Sequence, residues 1–235
     1  MKKYLYTLAL GLMLSACTAD KKQTIISVLE DVTEADFLVT PYTSTILPQF
    51  HLDKDRWQAV AFRYGSISSL IHNKRVSYKL MSENALFAND IERKAKVKQF
   101  KQDVSEALKK NTYSEAHRYS AIWTPLVDEI ISLQAIPNST ATLYLYSDLQ
   151  ENNPSWFSIH KYDDLMLLEH NSQKVAERFL SKAEGIKKGN KNITVIVVYQ
   201  PQTMKEDIAF SKMKKLYTIV FKELGISIAF ITKLQ

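Results

Sequence analysis

The sequence predicts an α/β domain built on a doubly wound, mostly parallel sheet of six strands. Three observations predict it. From Leu133 onward, short β-prone runs alternate with helical patterns, as crossover units require. Residues 193–199 (ITVIVVY) are apolar on both alternating faces, so that strand is central and covered on both sides. Two strand runs, 24–30 and 140–146, stop at once in acidic and hydroxyl residues. An open α/β sheet presents its site in this way, at the carboxyl ends of its strands.

Residues 1–17 read as a processing segment outside the fold. Lys2 and Lys3 give a basic start, residues 5–14 an apolar middle, and Leu14-Ser15-Ala16-Cys17 a small-residue cleavage site. The apolar run is too short to span a bilayer comfortably. Leu-Ser-Ala-Cys looks like the bacterial lipobox, which implies that Cys17 is lipidated and becomes the mature amino terminus. Thr18, Ala19 and Asp20 resemble no inner-membrane retention signal, which points to the outer membrane. Residues 18–23 form a polar tether, and residues 24–235 a single domain.

Cys17 is the only cysteine. With a lipid on it, the domain has no thiol, which excludes cysteine nucleophiles, thiolate metal sites and redox motifs. The net charge of +6 falls to +4 without Lys2 and Lys3, too mild to indicate nucleic-acid binding. With 5 glycines, phosphate-cradling loops are not expected.

Along the chain, strand 24–30 is followed by a stretch, 39–52, in which Pro41 and Pro48 allow only short helical turns. Residues 57–66 and 75–81 read as two strands. The link between them is too short for a helical crossover, so they pair antiparallel. Residues 90–111 form a charged helix with a narrow apolar stripe through Ile91, Val97, Phe100, Val104 and Leu108. Its lysines read as a solvated face, with attraction to an acidic partner or anionic lipid as the alternative. Residues 120–133 form a second helix, with Pro125 suited to its first turn. Strand 140–146 follows and ends in Ser147-Asp148. Residues 156–170 fit no single pattern. Residues 171–184 are an amphipathic helix through Val175, Phe179 and Leu180, ended by Gly185 and Gly189. A last helix, 203–224, stops at Gly225 before strand 226–231.

Asp31 after the first strand and Asp148 after strand 140–146 meet over one crevice if those strands are neighbours. With Thr33 and Ser120 they offer only hard oxygen donors, suited to Mg²⁺, Mn²⁺ or Ca²⁺ rather than Zn²⁺. Alternatively, the four residues serve as helix caps and loop hydrogen-bonding groups. At this point the sequence resembles the von Willebrand factor type A family, a Rossmann-like fold of strand order 3-2-1-4-5-6 with the third strand antiparallel. The resemblance runs from Thr24 to the end of the chain. The family's metal-ion-dependent adhesion site opens with Asp-x-Ser-x-Ser after strand 1. Here Asp31-Val32-Thr33-Glu34-Ala35 stands there, and Ala35 lacks the third oxygen. The resemblance implies a further hydroxyl from Ser120, with Thr124 as the alternative, and a last carboxylate from Asp148 in YSDLQEN. The family's usual Asp-Gly is Asp148-Leu149.

Other chemistry is sparse. His51, His72, His117, His160 and His170 have no zinc spacing, and no nucleophile elbow or nucleotide fingerprint occurs. Asp163 and Asp164 read as a helix cap, and Trp156 and Phe157 as core or as a rim to the site. The functional expectation is a lipid-anchored, non-enzymatic binding module that takes a protein partner through a divalent cation. A metal-free scaffold comes second. A metal-dependent hydrolase comes third, because Glu151 is the only acidic residue placed beside Asp148 to act as a base.

Overall fold

A computed structural model describes residues 22–33, 37–67, 75–109 and 119–234. The leader with Cys17, the segment 34–36 with Ala35, the connection 68–74 with His72, and residues 110–118 with His117 lie outside the described residues. The chain forms β1 (Gln23–Asp31), α1 (Thr43–Ile46) running into a 3-10 turn (Leu47–Phe50), β2 (Val60–Ile67), β3 (Arg75–Leu80), α2 (Asp90–Lys109) and α3 (Trp123–Gln134). There follow β4 (Ser139–Tyr146), the two-residue strands β5 (Asn152–Asn153) and β6 (Phe157–Ser158), α4 (Tyr162–His170), α5 (Ser172–Ser181), β7 (Ile193–Val198), α6 (Met204–Leu224) and β8 (Ser227–Ile231).

Six strands make one sheet in the order β3-β2-β1-β4-β7-β8, and β5 and β6 pair separately. Within the main sheet β2 and β3 are antiparallel, as the short link requires, and every other pair is parallel. The architecture is α/β and compatible with a Rossmann-like fold. Alternation along β1 divides its side chains between two cores. Ile25 and Leu29 pack with Leu126, Ile130, Phe179 and Val220 of α3, α5 and α6. Ile26 and Val28 pack with Ile46, Phe50, Phe100 and Val104 of α1, the 3-10 turn and α2. The first core centres on Trp123, whose ring lies 5.2 Å from Phe179 and 5.5 Å from Tyr217 and whose Nε1 donates to the Phe179 carbonyl at 2.9 Å.

β7 is interior but not in the middle. β1 and β4 hold the centre, and β7 lies between β4 and the edge strand β8. Apolar residues on both faces report burial, not hydrogen-bonding order. The helical cover on one face also thins towards β8, where Ile196 and Ile231 are only partly buried.

Helix boundaries move for identifiable reasons. α3 begins at Trp123, because Ser120 is held in a backbone bridge to Asn152. α5 ends at Ser181, ahead of the two glycines, which lie in later turns at φ of 95° and 74°. Asp164 does not cap α4: it accepts from the Ser158 N–H at 3.0 Å and pairs with Arg178 at 3.0 Å. α6 does begin and end as its sequence indicates. The Thr203 hydroxyl accepts from the Glu206 N–H at 3.2 Å, and Gly225 takes the left-handed closing conformation. A Cβ on Gly225 would stand 2.9 Å from the backbone of Gly189.

The stripe on α2 needs correction. Ile91 is exposed, and the fully buried charge is Arg93. Its guanidinium donates to the carbonyls of Arg56 (2.6 Å), Met81 (2.6 Å) and Gln58 (2.9 Å) and pairs with Glu83 at 3.3 Å. It thereby ties α2 to the start of β2 and the end of β3. Arg93→Met should cost about 3–5 kcal/mol, because three carbonyls lose their donor in a closed site. Arg93→Lys should recover little of this, since an ammonium cannot fork to the same set. Urea unfolding of the two variants checks it, and a loss under 1 kcal/mol would show that the contacts carry no weight.

Candidate functional site

Asp31 is the last residue of β1 and is buried beside β4. Its Oδ1 accepts from the Thr33 N–H at 3.1 Å and the Thr33 hydroxyl at 2.6 Å. Its Oδ2 accepts from the hydroxyls of Ser147 at 3.1 Å and Ser120 at 3.3 Å. Burial raises the Asp31 pKa above the usual carboxylate range, and the bonds from Thr33, Ser147 and Ser120 oppose that rise. These hydrogen-bond donors are all neutral, and among the described residues no cationic side chain pairs with Asp31.

Asp148 stands just past the end of β4. Its Oδ1 accepts from the Gln150 N–H at 2.9 Å and its Oδ2 from the Gln150 side-chain amide at 2.5 Å. Asp148, Thr33 and Ser120 line one small hollow of ≈ 60 Å³ with Tyr119, Gln150, Asn152 and His160. The structure therefore brings together all four residues singled out from the sequence. Asp31 does not itself line the hollow; it lies behind it, bonded to Thr33 and Ser120, while Asp148 forms a wall. Thr124 is exposed on α3 and makes no part of the hollow. Trp156 and Phe157 do not line it either; both pack on Phe179, at 4.7 and 5.3 Å.

Between Asp148 and Gln150, Leu149 is fully buried at a φ of 65°. That left-handed conformation favours glycine and costs a branched residue of order 1–3 kcal/mol. Ser147 supports it by accepting from the Leu149 N–H at 2.9 Å. Burial of the leucine side chain offsets the backbone cost by roughly 2 kcal/mol.

Two features escape sequence reasoning. Ser147 reaches Asp31, and its only signal was its place directly before Asp148. Glu151 is fully buried and is not in the hollow. Its Oε2 accepts from the N–H groups of Ile122 and Trp123, both at 2.8 Å, and so closes the start of α3. Its Oε1 and the Tyr217 hydroxyl are buried without hydrogen-bond partners among the described residues. Burial raises the Glu151 pKa to about 8, against the two N–H donors and with a further push from Asp31. Burial first, then the charges of Glu151, Asp148 and Asp31, hold the Tyr217 phenol well above its ordinary range.

Chemically, the hollow offers the Asp148 carboxylate and the hydroxyls of Thr33 and Ser120, with the Asp31 carboxylate bonded behind them, a hard-oxygen set of the kind that suits Mg²⁺, Mn²⁺ or Ca²⁺. Among the described residues, no group of three or more His, Cys, Asp or Glu side chains converges as a metal cluster. A cation here would depend on the hydroxyls and on water or a partner's oxygen. No protein-family model and no curated protein matches this sequence.

Proposed function

We propose that this is a lipid-anchored envelope protein, held through Cys17 at the outer membrane. Its von Willebrand factor type A-like domain binds a protein partner through a divalent cation at Asp31, Thr33, Ser120 and Asp148. The observation that carries the reading is the set of hydroxyls gathered on Asp31 at the seam between β1 and β4. Leaving out β5 and β6, the strand order reads 3-2-1-4-5-6 with the third strand antiparallel, the arrangement that the resemblance implies. The chain runs outward to one side from β1 and to the other from β4, which supports a doubly wound sheet with its switch point at the hollow. Leu149 adds support, because it has the backbone of a glycine where the resemblance expects glycine.

The role proposed is recognition, not catalysis. Glu151 was the one candidate base, and it closes a helix instead of facing the hollow. A partner carboxylate completes the coordination sphere. The second reading is a metal-free scaffold. It is favoured by the hydrogen bonds that already satisfy Asp31 and by the Gln150 amide that engages Asp148.

Thermal melts in EDTA, Mg²⁺, Mn²⁺ and Ca²⁺ test the choice. With one oxygen ligand missing, we expect a dissociation constant of ~1 mM. At ten times that concentration, mass action adds about 1.4 kcal/mol, a rise of about 3–5 °C in a domain of this size. Asp148→Asn should abolish the rise while keeping the fold. Identical melting of the wild type in all four solutions would replace the cation reading with the scaffold.

A further inference from the structure

Four of the ten exposed large apolar side chains among the described residues fall within one short stretch: Met81, Leu86, Phe87 and Ile91. Leu86, Phe87 and Ile91 are 86%, 87% and 80% exposed. An ordered turn presents them. The Asn84 side chain accepts from the Leu86 N–H at 3.0 Å, and the Asn84 carbonyl accepts from the N–H groups of Phe87 (3.1 Å) and Ala88 (2.9 Å). The Asn89 side chain then starts α2 by accepting from the Ile91 N–H at 2.9 Å. Water is a poor solvent for this arrangement, and none of the four side chains joins either core.

The turn's place in the fold says what covers it. Thr24 of β1 pairs with Val60 at the start of β2, and Val60 pairs with Leu80 at the end of β3. The Glu83 N–H donates to the Trp57 carbonyl at 3.1 Å. The turn therefore hangs from the edge of the sheet at which the chain enters β1, opposite the hollow. The five residues between Cys17 and Gln23 reach at most about 20 Å. A lipid on Cys17 would keep that edge, rather than the opposite one, near the bilayer. Charge agrees: Lys54, Arg56, Lys94, Lys98 and Lys101 line a groove of ≈ 720 Å³ at the same edge, against Asp53 and Asp55. Lys54 and Lys98 have no acidic partner among the described residues.

We propose that this edge is a membrane-contact surface. Leu86, Phe87 and Ile91 enter the interfacial zone of a phospholipid bilayer, and the lysines beside them meet anionic headgroups. The proposal rests on the Cys17 anchor and extends it to an oriented dock. β1 is nine residues long, so the hollow then stands about 30 Å from the membrane and faces outward, towards a partner.

The test uses the full chain on vesicles whose phosphatidylglycerol carries brominated acyl chains, which quench tryptophan only at close range. Phe87→Trp adds a probe on the turn, and Met204→Trp adds a control at the opposite edge, where Met204 is exposed. The emission added by Phe87→Trp should fall roughly twofold on these vesicles, and that added by Met204→Trp should not change. Replacing phosphatidylglycerol with phosphatidylcholine of the same chains, or adding Lys94→Glu and Lys98→Glu, should weaken the quenching. If the chain co-sediments with vesicles but the Phe87→Trp emission is unquenched, the turn does not touch lipid and the proposal fails while the anchor stands. If Cys17→Ser leaves membrane association unchanged and the emission is still quenched, the turn binds lipid by itself and the anchor reading fails. If the chain does not co-sediment at all, both fail.

Discussion

Val197→Asp is expected to unfold the domain. Val197 is fully buried, with Leu145 of β4 opposite on one side and Phe230 of β8 on the other. A carboxylate there faces only the apolar core shared by α3, α5 and α6. Whether it stays charged or takes up a proton, it finds no partner, and the cost is several kcal/mol. Lost apolar burial adds about 1.5–3 kcal/mol. Together these approach the whole stability of a domain, about 5–15 kcal/mol. Val197→Ala removes the packing alone and should leave a folded protein weaker by about 2 kcal/mol. Ile231→Asp is the positional control: Ile231 ends the edge strand β8 and is only partly buried, so its carboxylate can reach water. Circular dichroism and melting of the three variants check the ranking. A soluble, cooperatively melting Val197→Asp protein would mean that β7 is not an interior strand.

The same residues mark how far the sequence could be read. Burial writes itself into apolar periodicity, so each of the six main strands was legible within a few residues, and so was the antiparallel pair. Pairing order does not, and for that reason β7 was placed one position too close to the centre. Asp31 and Asp148 were legible because each interrupts an apolar run at a strand end. The contacts that organise them were not. Glu151 closes a helix 28 residues earlier in the chain, and no local pattern signals such a contact. Arg93 sits among lysines on a charged helix, and only the fold separates it from them, by aiming three carbonyls at it. Leu149 is the clearest case. A leucine at positive φ violates local preference, and it persists because its side chain is buried and Ser147 holds its N–H. Ile91 errs in the opposite direction: it fits the helical stripe and yet faces out, at the start of α2 beside the exposed turn.

Glu151→Gln is expected to make the protein less sensitive to pH between acid and mildly alkaline conditions, and more stable at the alkaline end. Two effects compete on this carboxyl group. The N-terminus of α3 favours its ionised form through two N–H donors and the helix dipole, worth up to ~2 kcal/mol. Complete burial beside the Asp31 carboxylate favours the neutral form, and burial prevails, raising the pKa from 4.5 to about 8. Because the folded pKa lies above the unfolded one, the neutral carboxyl's contribution is fully present below pH 4.5. It is lost progressively as pH rises through the window to about 8. At 1.36 kcal/mol for each unit, the change is of the order of a few kcal/mol. Glu30 adds to the same slope: burial raises its pKa to about 7 against the hydrogen bond from Tyr64. The amide of Glu151→Gln keeps an oxygen for the Ile122 and Trp123 N–H groups and carries no charge. Its N–H₂ group takes the position of Oε1, which has no hydrogen-bond partner among the described residues. Urea unfolding at pH 5 and pH 8.5 should therefore give near-equal stability for wild type and variant at pH 5, and a variant ahead by roughly 2 kcal/mol or more at pH 8.5. Glu151→Ala separates the cap from the charge. It leaves both N–H groups bare and should cost about 1–2 kcal/mol at pH 5 as well. A wild-type stability that stays flat from pH 5 to 8.5 would mean that Glu151 is ionised throughout, with its charge balanced by a partner near Oε1.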